Sequence, residues 1–558
     1  MKLINIIPIC LFLYCTHATV LPKDDAPGLP RDVQDISPKN LIKWTRCNLG
    51  IPEYKEFEKN KAVECGTLIV PLDYTDKHST NTTILNLIKL KATGKPPKRS
   101  IIVNFGGPGV SGVEFLLTVS PLLSDLMETG LYNIISFDPR GTGKTLVPPD
   151  GEGFPLQMFE ELSYTSQSST DFFTKKSLSD AWDYMSTFTE FFLTKDTHLG
   201  RFRGTAFVAR DIAEIATALG EGNRINYWGI SYGTVLGQVL AGMFPERIER
   251  MLLDGNLLVD DYVKNLGVDS TQDAEKALYH FYDECMAAPN NTCHSATKLP
   301  KERDEFLEVL NRVFMVCTGV GGGLRSFKSL SLNLWLLASL YSLQGYLKLD
   351  DLIDTALEAN RSNCPQEMKP QAMNPFENAT LWNPQFELAH LAIWCSDATF
   401  RAETVQEFTS FFGLYEGNKA LDDPFFLTTL LFRSVCSRWS IHAAEPINLT
   451  SLSRVKTKNP ILIVNGEYDP ATPLSHARNI SARFPGSQVV VHKGSGHGAV
   501  LNAHHSTCTI GIVANYFLSG ELPLEETTCE PDQNVFEIVE LLRGVEGKAK
   551  IHKTPIFV

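Results

Sequence analysis

The tightest constraint in this chain is Gly229-Ile230-Ser231-Tyr232-Gly233, because of what flanks it. Ile225–Trp228 reads as a short buried strand and Ser231–Phe244 as a helix. A serine at the corner between strand and helix must take a strained backbone, so small residues have to stand on either side. Its hydroxyl is then presented above a sheet at a helix N-terminus, where free N–H groups favour developing negative charge. The surrounding pattern supplies such a sheet. Gly66–Pro71, Thr83–Leu90, Arg99–Phe105, Tyr132–Phe137 and Arg250–Leu253 read as strands, and Phe207–Leu219 reads as a helix closed by Gly220. The runs Arg99–Phe105 and Tyr132–Phe137 are short and centred on apolar residues, Ile101-Ile102-Val103 and Ile134-Ile135, as strands buried on both faces are. Alternation of this kind implies an α/β fold with a mostly parallel sheet and helices on both faces.

The alternation stops near residue 257, and residues 257–455 read as mainly helical. It resumes with Ile461–Asn465, Gln488–His492 and a closing helix over Ile510–Leu518. The expected organisation is therefore a leader over 1–18, an N-terminal arm over 19–64, and the first part of the core over 65–256. A helical insertion follows over 257–455, then the second part of the core over 456–530 and a tail over 531–558.

Composition narrows the class. The 558 residues are 43% apolar and 21% charged, which excludes disorder, coiled coil and collagen. A net charge of −13 repels phosphate backbones, so no nucleic-acid partner is expected. Lys2, the apolar run Leu3–Tyr14 and the exit Thr16-His17-Ala18 have the form of a secretory signal peptide, too short to span a bilayer. Ten of the twelve cysteines lie beyond it, with no CxxC pair, which suits disulfides; Cys47–Cys65 and Cys508–Cys529 are the economical local pairs. Sequons stand at Asn81, Asn290, Asn360, Asn378, Asn448 and Asn479. The expectation is a secreted, monomeric glycoprotein without membrane attachment.

A serine hydroxyl needs a base to take its proton. His497, in Gly494-Ser-Gly-His-Gly498, follows the strand Gln488–His492; His442, His476, His504 and His505 are the other candidates. Asp469 closes the preceding strand, where a carboxylate can hold the imidazole tautomer, with Glu467 as its competitor. The turn Phe105-Gly106-Gly107-Pro108-Gly109 offers backbone N–H groups, and Gly107 with Tyr232 would make an oxyanion pair. The same turn fits a G-x-G-x-x-G dinucleotide fingerprint over 107–112. Pro108 and the lack of an acidic residue about 20 positions on at a strand end speak against that reading.

Together NFGGPG (104–109), SFDPRGTGKT (136–145), RDIAEIATALG (210–220), NYWGISYGTVLG (226–237), FPERIERMLLDG (244–255), GEYDPATPLSHA (466–477) and GSGHG (494–498) carry a resemblance. The chain resembles the secreted tripeptidyl aminopeptidase branch of the prolyl-aminopeptidase-like serine peptidases. That resemblance implies an α/β-hydrolase core with a helical cap, in which Ser231, Asp469 and His497 form the triad, in the chain order usual for that fold. It also implies that Gly107 and Tyr232 are oxyanion donors, that no metal or cofactor is needed, and that substrates are peptides with free N-termini. Asp397, in a segment similar to the family's cap motif, is a candidate to hold the substrate amine; a helix-capping role is the alternative. The chain departs from relatives at Leu146–Asp150, which lacks a cysteine. Two other functions are carried alongside the aminopeptidase: a carboxylesterase or lipase on the same triad, and a non-catalytic binding protein on the same fold.

Overall fold

The computed structural model describes residues 41–50, 55–94, 99–126, 130–147, 199–265, 270–318, 330–358, 384–413, 435–501 and 504–546, with isolated positions between 179 and 193 and residue 425. The leader, Asn360 and Asn378 lie outside the described residues. Among the described residues, the sheet consists of β1 (Lys43–Thr45), β2 (Val63–Pro71), β3 (Thr82–Leu90), β4 (Arg99–Asn104), β5 (Tyr132–Phe137), β6 (Ile225–Ser231), β7 (Ile248–Asn256), β8 (Leu462–Tyr468), β9 (Gln488–Ser495) and β10 (Thr527–Cys529). They run in the order β1-β2-β3-β5-β4-β6-β7-β8-β9-β10. The first four are joined by antiparallel pairings, and every pairing from β5 to β10 is parallel. The fold is that of an α/β-hydrolase, with all the parallel strands ending at one edge of the sheet.

Alternation along the strands explains why both faces are covered. Ile102, Tyr227, Met251 and Ile463 point to one side and meet Val208, Ile212 and Ile215 of α2 (Thr205–Ala218) and Val235 and Val239 of α3 (Tyr232–Met243). Ile101, Val103, Trp228 and Leu252 point to the other, against Leu116 and Leu117 of α1 (Gly112–Leu126) and Val513 and Phe517 of α8 (Thr507–Ser519). Each such side chain contributes about 1.5–3 kcal/mol by leaving water, which is why strands this apolar occupy the centre. α8 starts earlier than the apolar spacing predicts, because the Ser506 side chain accepts from Thr509 N and caps it.

Between β7 and β8 the described residues form helices and turns but no strand. α4 (Ala274–Met286), α5 (Leu343–Leu357) and α6 (Pro384–Asp397) are the ones that bear on the site; α7 (Leu474–Arg483) follows β8. Two segments outside the expected core contribute to structure. Residues 43–45 of the arm form the edge strand β1, fastened to β2 by Cys47–Cys65. The C-terminal segment forms α9 (Val535–Glu546), whose Val535, Phe536 and Val539 are buried against Phe281 of α4 and Tyr346 of α5. Cys508–Cys529 is formed as the spacing predicts, and among the described residues of the insertion Cys285–Cys293 and Cys395–Cys436 are also bridged. No helix among the described residues is long and apolar enough to cross a membrane.

The Arg140 of the Asp-Pro-Arg-Gly turn is fully buried and pairs with Asp211 of α2 through Nε at 2.7 Å and Nη2 at 2.9 Å. Nη1 and Nη2 also donate to the Leu72 and Pro71 carbonyls, and Tyr74 donates its hydroxyl to Asp211 at 2.7 Å. Removing one member of such a pair leaves a charge buried without its partner. Asp211→Ala is expected to lower unfolding free energy by about 3–5 kcal/mol, read as a lower midpoint in urea; an unchanged midpoint would refute this account of the cluster.

Candidate active site

Ser231 ends β6 and caps α3 with φ 57° and ψ −122°, a strained conformation for a residue with a Cβ. The motif's glycines are required by contact: a Cβ on Gly229 would lie 2.2 Å from the Gly233 carbonyl oxygen. Ser231 is half-buried at the carboxyl edge of the sheet, in register with Asn256 at the end of β7.

Asp469 and His497 follow β8 and β9 at that same edge. The His497 Nδ1–H donates to both Asp469 carboxylate oxygens at 2.9 Å, which leaves Nε2 as the imidazole's acceptor. Asp469 is fully buried and accepts three further hydrogen bonds, from the N–H groups of Ala471, Thr472 and Gly498. Burial would raise its pKa, but the charge and hydrogen bond of His497 and these N–H donors hold it below the ordinary carboxylate value. For His497 burial acts downward, and the Asp469 charge and hydrogen bond, with the Asp254 charge, outweigh it and hold the imidazole above its ordinary value. The competitors lie elsewhere. Glu467 pairs with Lys276 of α4, His476 Nδ1 accepts from Leu258 N, and His442 Nδ1 contacts Arg401. His504 bonds the Gln533 carbonyl and His505 pairs with Asp532.

Two groups that sequence reasoning missed hold the histidine loop. Asp254, near the end of β7, accepts from Ala499 N at 2.7 Å and Val500 N at 3.3 Å, and its burial pushes its pKa up to about 6. Tyr341, from the insertion, accepts the His497 backbone N–H at 2.9 Å and packs its ring 5.0 Å from the imidazole. The signal for Asp254 was present, an acid closing the apolar run Arg250–Leu253. For Tyr341 there was none.

The glycine turn after β4 lies against the serine corner. A Cβ on Gly106, whose φ is +99°, would stand 2.9 Å from Ser231 Cβ and 3.4 Å from Tyr232 N. On the other side a Cβ on Gly498 would stand 3.6 Å from Ile230. The turn is held by Asn104 Oδ1, which accepts from Gly106 N, and by Asp138, which accepts from Ser111 Oγ and Val113 N at the start of α1. With its oxygens so occupied, and Lys144 N on the second, Asp138 serves the turn itself.

Asp397, at the end of α6, is buried and caps α2: its oxygens accept from Thr205 N at 3.1 Å, Thr205 Oγ1 at 2.5 Å and the Tyr262 hydroxyl at 3.1 Å. Burial pushes its pKa up to about 6. Four of the sequons, Asn81, Asn290, Asn448 and Asn479, are exposed. Among the described residues, two groups have metal-ligand proximity. In Cys285/Cys293/Asp350 the sulfurs are already joined to each other, and in His294/Asp350/Asp351 the Asp350 oxygens take the His294 and Ser295 N–H groups.

Comparison with known proteins agrees with this architecture. Residues 99–282 match a family described as "alpha/beta hydrolase fold", and residues 423–529 match one described as "TAP-like protein". A tripeptidyl aminopeptidase of Streptomyces lividans is 23% identical, with 84% of this chain and 84% of the relative covered. Serine protease Hip1 of Mycobacterium tuberculosis is 24% identical over 88% of this chain and 91% of its own length. A protein named carboxylesterase B from the same species is 24% identical over 88% and 90%.

Proposed function

We propose that this chain, a serine hydrolase on the α/β-hydrolase fold, is a secreted exopeptidase that cleaves peptide bonds near free N-termini. The observation that carries the reading is the buried Asp469–His497 pair at the sheet edge that also bears the strained Ser231. In the proposed reaction the Ser231 hydroxyl attacks the scissile carbonyl while His497 Nε2 takes its proton. His497 then gives that proton to the leaving amine, and Asp469 holds the imidazole tautomer and its charge. The N–H groups of Gly107 and Tyr232 receive the oxyanion. Water, activated in turn by His497, releases the acyl group and regenerates Ser231.

Peptide specificity is supported by the relatives named as an aminopeptidase and a serine protease, and by α6 of the insertion, whose His390 contacts the glycine turn at Pro108. Secretion is supported by the leader's pattern together with the four disulfides and the exposed sequons found among the described residues. The carboxylesterase reading keeps one specific support, the relative of that name. A matched set of chromogenic substrates separates the two: a tripeptide amide with a free N-terminus, its acetylated form and a short-chain ester. Roughly 10²-fold or greater preference for the free over the acetylated peptide is expected, since a site built to bind the ammonium is left with buried groups unpaired by the blocked one. Ester turnover without amide cleavage would favour the esterase.

A further inference from the structure

His390, Trp394 and Asp397 stand at i, i+4 and i+7 of α6, one stripe of the helix. Each reaches a different part of the serine corner's surroundings. The His390 Nδ1–H donates to the Pro108 carbonyl at 3.0 Å, within the glycine turn. Trp394 donates Nε1–H to the Tyr262 carbonyl and stacks on the Tyr262 ring at 5.7 Å; that ring packs 5.5 Å from Tyr232. Asp397 takes the Thr205 hydroxyl proton at 2.5 Å. A hydroxyl has one proton, so towards Tyr232 the Thr205 oxygen can only accept, and the Tyr232 O–H donates to it at 2.7 Å. The result is a directed chain, Tyr232 to Thr205 to Asp397, wholly buried. Cys395–Cys436 fastens the same turn of α6.

We propose that this stripe of α6 is the positioning element of the oxyanion pocket. Asp397 acts through Thr205 on Tyr232, and His390 acts on the Gly106–Gly109 turn. Asp397, Thr205 and His390 are positioning residues: they hold the two backbone donors in place without touching substrate. The proposal rests on the reading of Gly107 and Tyr232 as those donors, and it gives α6 a part in the chemistry beyond covering the site.

The experiment uses the full secreted protein and the variants Thr205→Val, Thr205→Ser, Tyr232→Phe, Asp397→Asn and the double variant Thr205→Val with Tyr232→Phe. For each, kcat and KM are measured on the free tripeptide amide and on a short-chain p-nitrophenyl ester, with the rate of Ser231 labelling by a fluorophosphonate. Thr205→Val and Tyr232→Phe are each expected to lower kcat on both substrates and the labelling rate, by roughly 10- to 100-fold, with KM little changed. The double variant should be no worse than either single one, because both cut the same chain, and Thr205→Ser should restore activity. Losses that multiply in the double variant, or an undiminished kcat in Thr205→Val, would overturn the proposal while leaving the peptidase reading intact. So would an Asp397→Asn enzyme impaired only in KM for the free-amine peptide, which would make Asp397 an amine ligand. A wild-type protein that neither turns over nor labels would overturn both.

Discussion

Ser231→Ala is expected to lower kcat on the tripeptide amide by roughly 10⁶-fold, and to abolish fluorophosphonate labelling altogether. The change removes only Oγ. Alanine keeps the Cβ that makes φ 57° costly, so the strain at the corner is retained and the fold should be unaffected. What survives is binding and whatever the oxyanion donors supply on their own, about 10³–10⁴ over water in enzymes of this mechanism. The check is kcat beside thermal unfolding. A loss of less than tenfold with an unchanged Tm would mean that another group attacks the carbonyl.

Asp469→Asn is expected to cost about 10⁴ in kcat, through the tautomer rather than the geometry. Asp469 accepts from four donors at once, namely His497 Nδ1–H and the N–H groups of Ala471, Thr472 and Gly498. An asparagine has one oxygen for them, and its amide must present N–H to one of the others. Turning that N–H towards His497 makes Nδ1 the acceptor and puts the proton on Nε2, where it cannot receive the serine's. The pH profile gives a second reading. The base works when neutral, so wild-type kcat/KM should fall as pH drops through a His497 pKa above the ordinary 6.5. Removing the Asp469 charge leaves the burial that lowers the imidazole's pKa, with only Asp254 opposing it. The acid limb of the variant's residual activity should therefore move to lower pH. A limb that stays put would detach His497 from Asp469.

How much of this was legible in the sequence depends on how local the cause is. β4, β5 and β6 are runs of apolar residues closed by glycine or a turn, and they form where the pattern places them, because two-sided burial leaves no other use for Ile101-Ile102-Val103. Asp469 and His497 were visible because a turn following a strand must present its polar residues at the sheet's edge. Thr205 and Tyr341 carry no such mark. Their importance lies in partners 192 and 156 residues away, Asp397 and His497, and only tertiary packing brings them together. The Asp-Pro-Arg-Gly turn stands out in the sequence within SFDPRGTGKT, yet its part is structural: Asp138 seats the glycine turn and Arg140 pins α2. The insertion's helices could be read from their periodicity, but which stripe of α6 faces the core could not, since His390 and Asp397 are polar and the helix is apolar on several sides.

The core is interrupted in sequence but continuous in space, for β7 and β8 are hydrogen-bonded neighbours separated by about 200 residues of chain. Closing so long a loop adds little to the equilibrium cost, about 0.6 kcal/mol for each doubling, so the insertion could be much larger or smaller without dissolving the sheet. The burden falls on synthesis instead. As the chain emerges, β7 is complete while one of its edges has no neighbour, and it stays so until the whole insertion has followed it out. During that interval a strand of Met251, Leu252 and Leu253 offers unpaired backbone to any other strand that meets it. A chain cut short within the insertion would keep that open edge permanently, and should be found in aggregates rather than in solution.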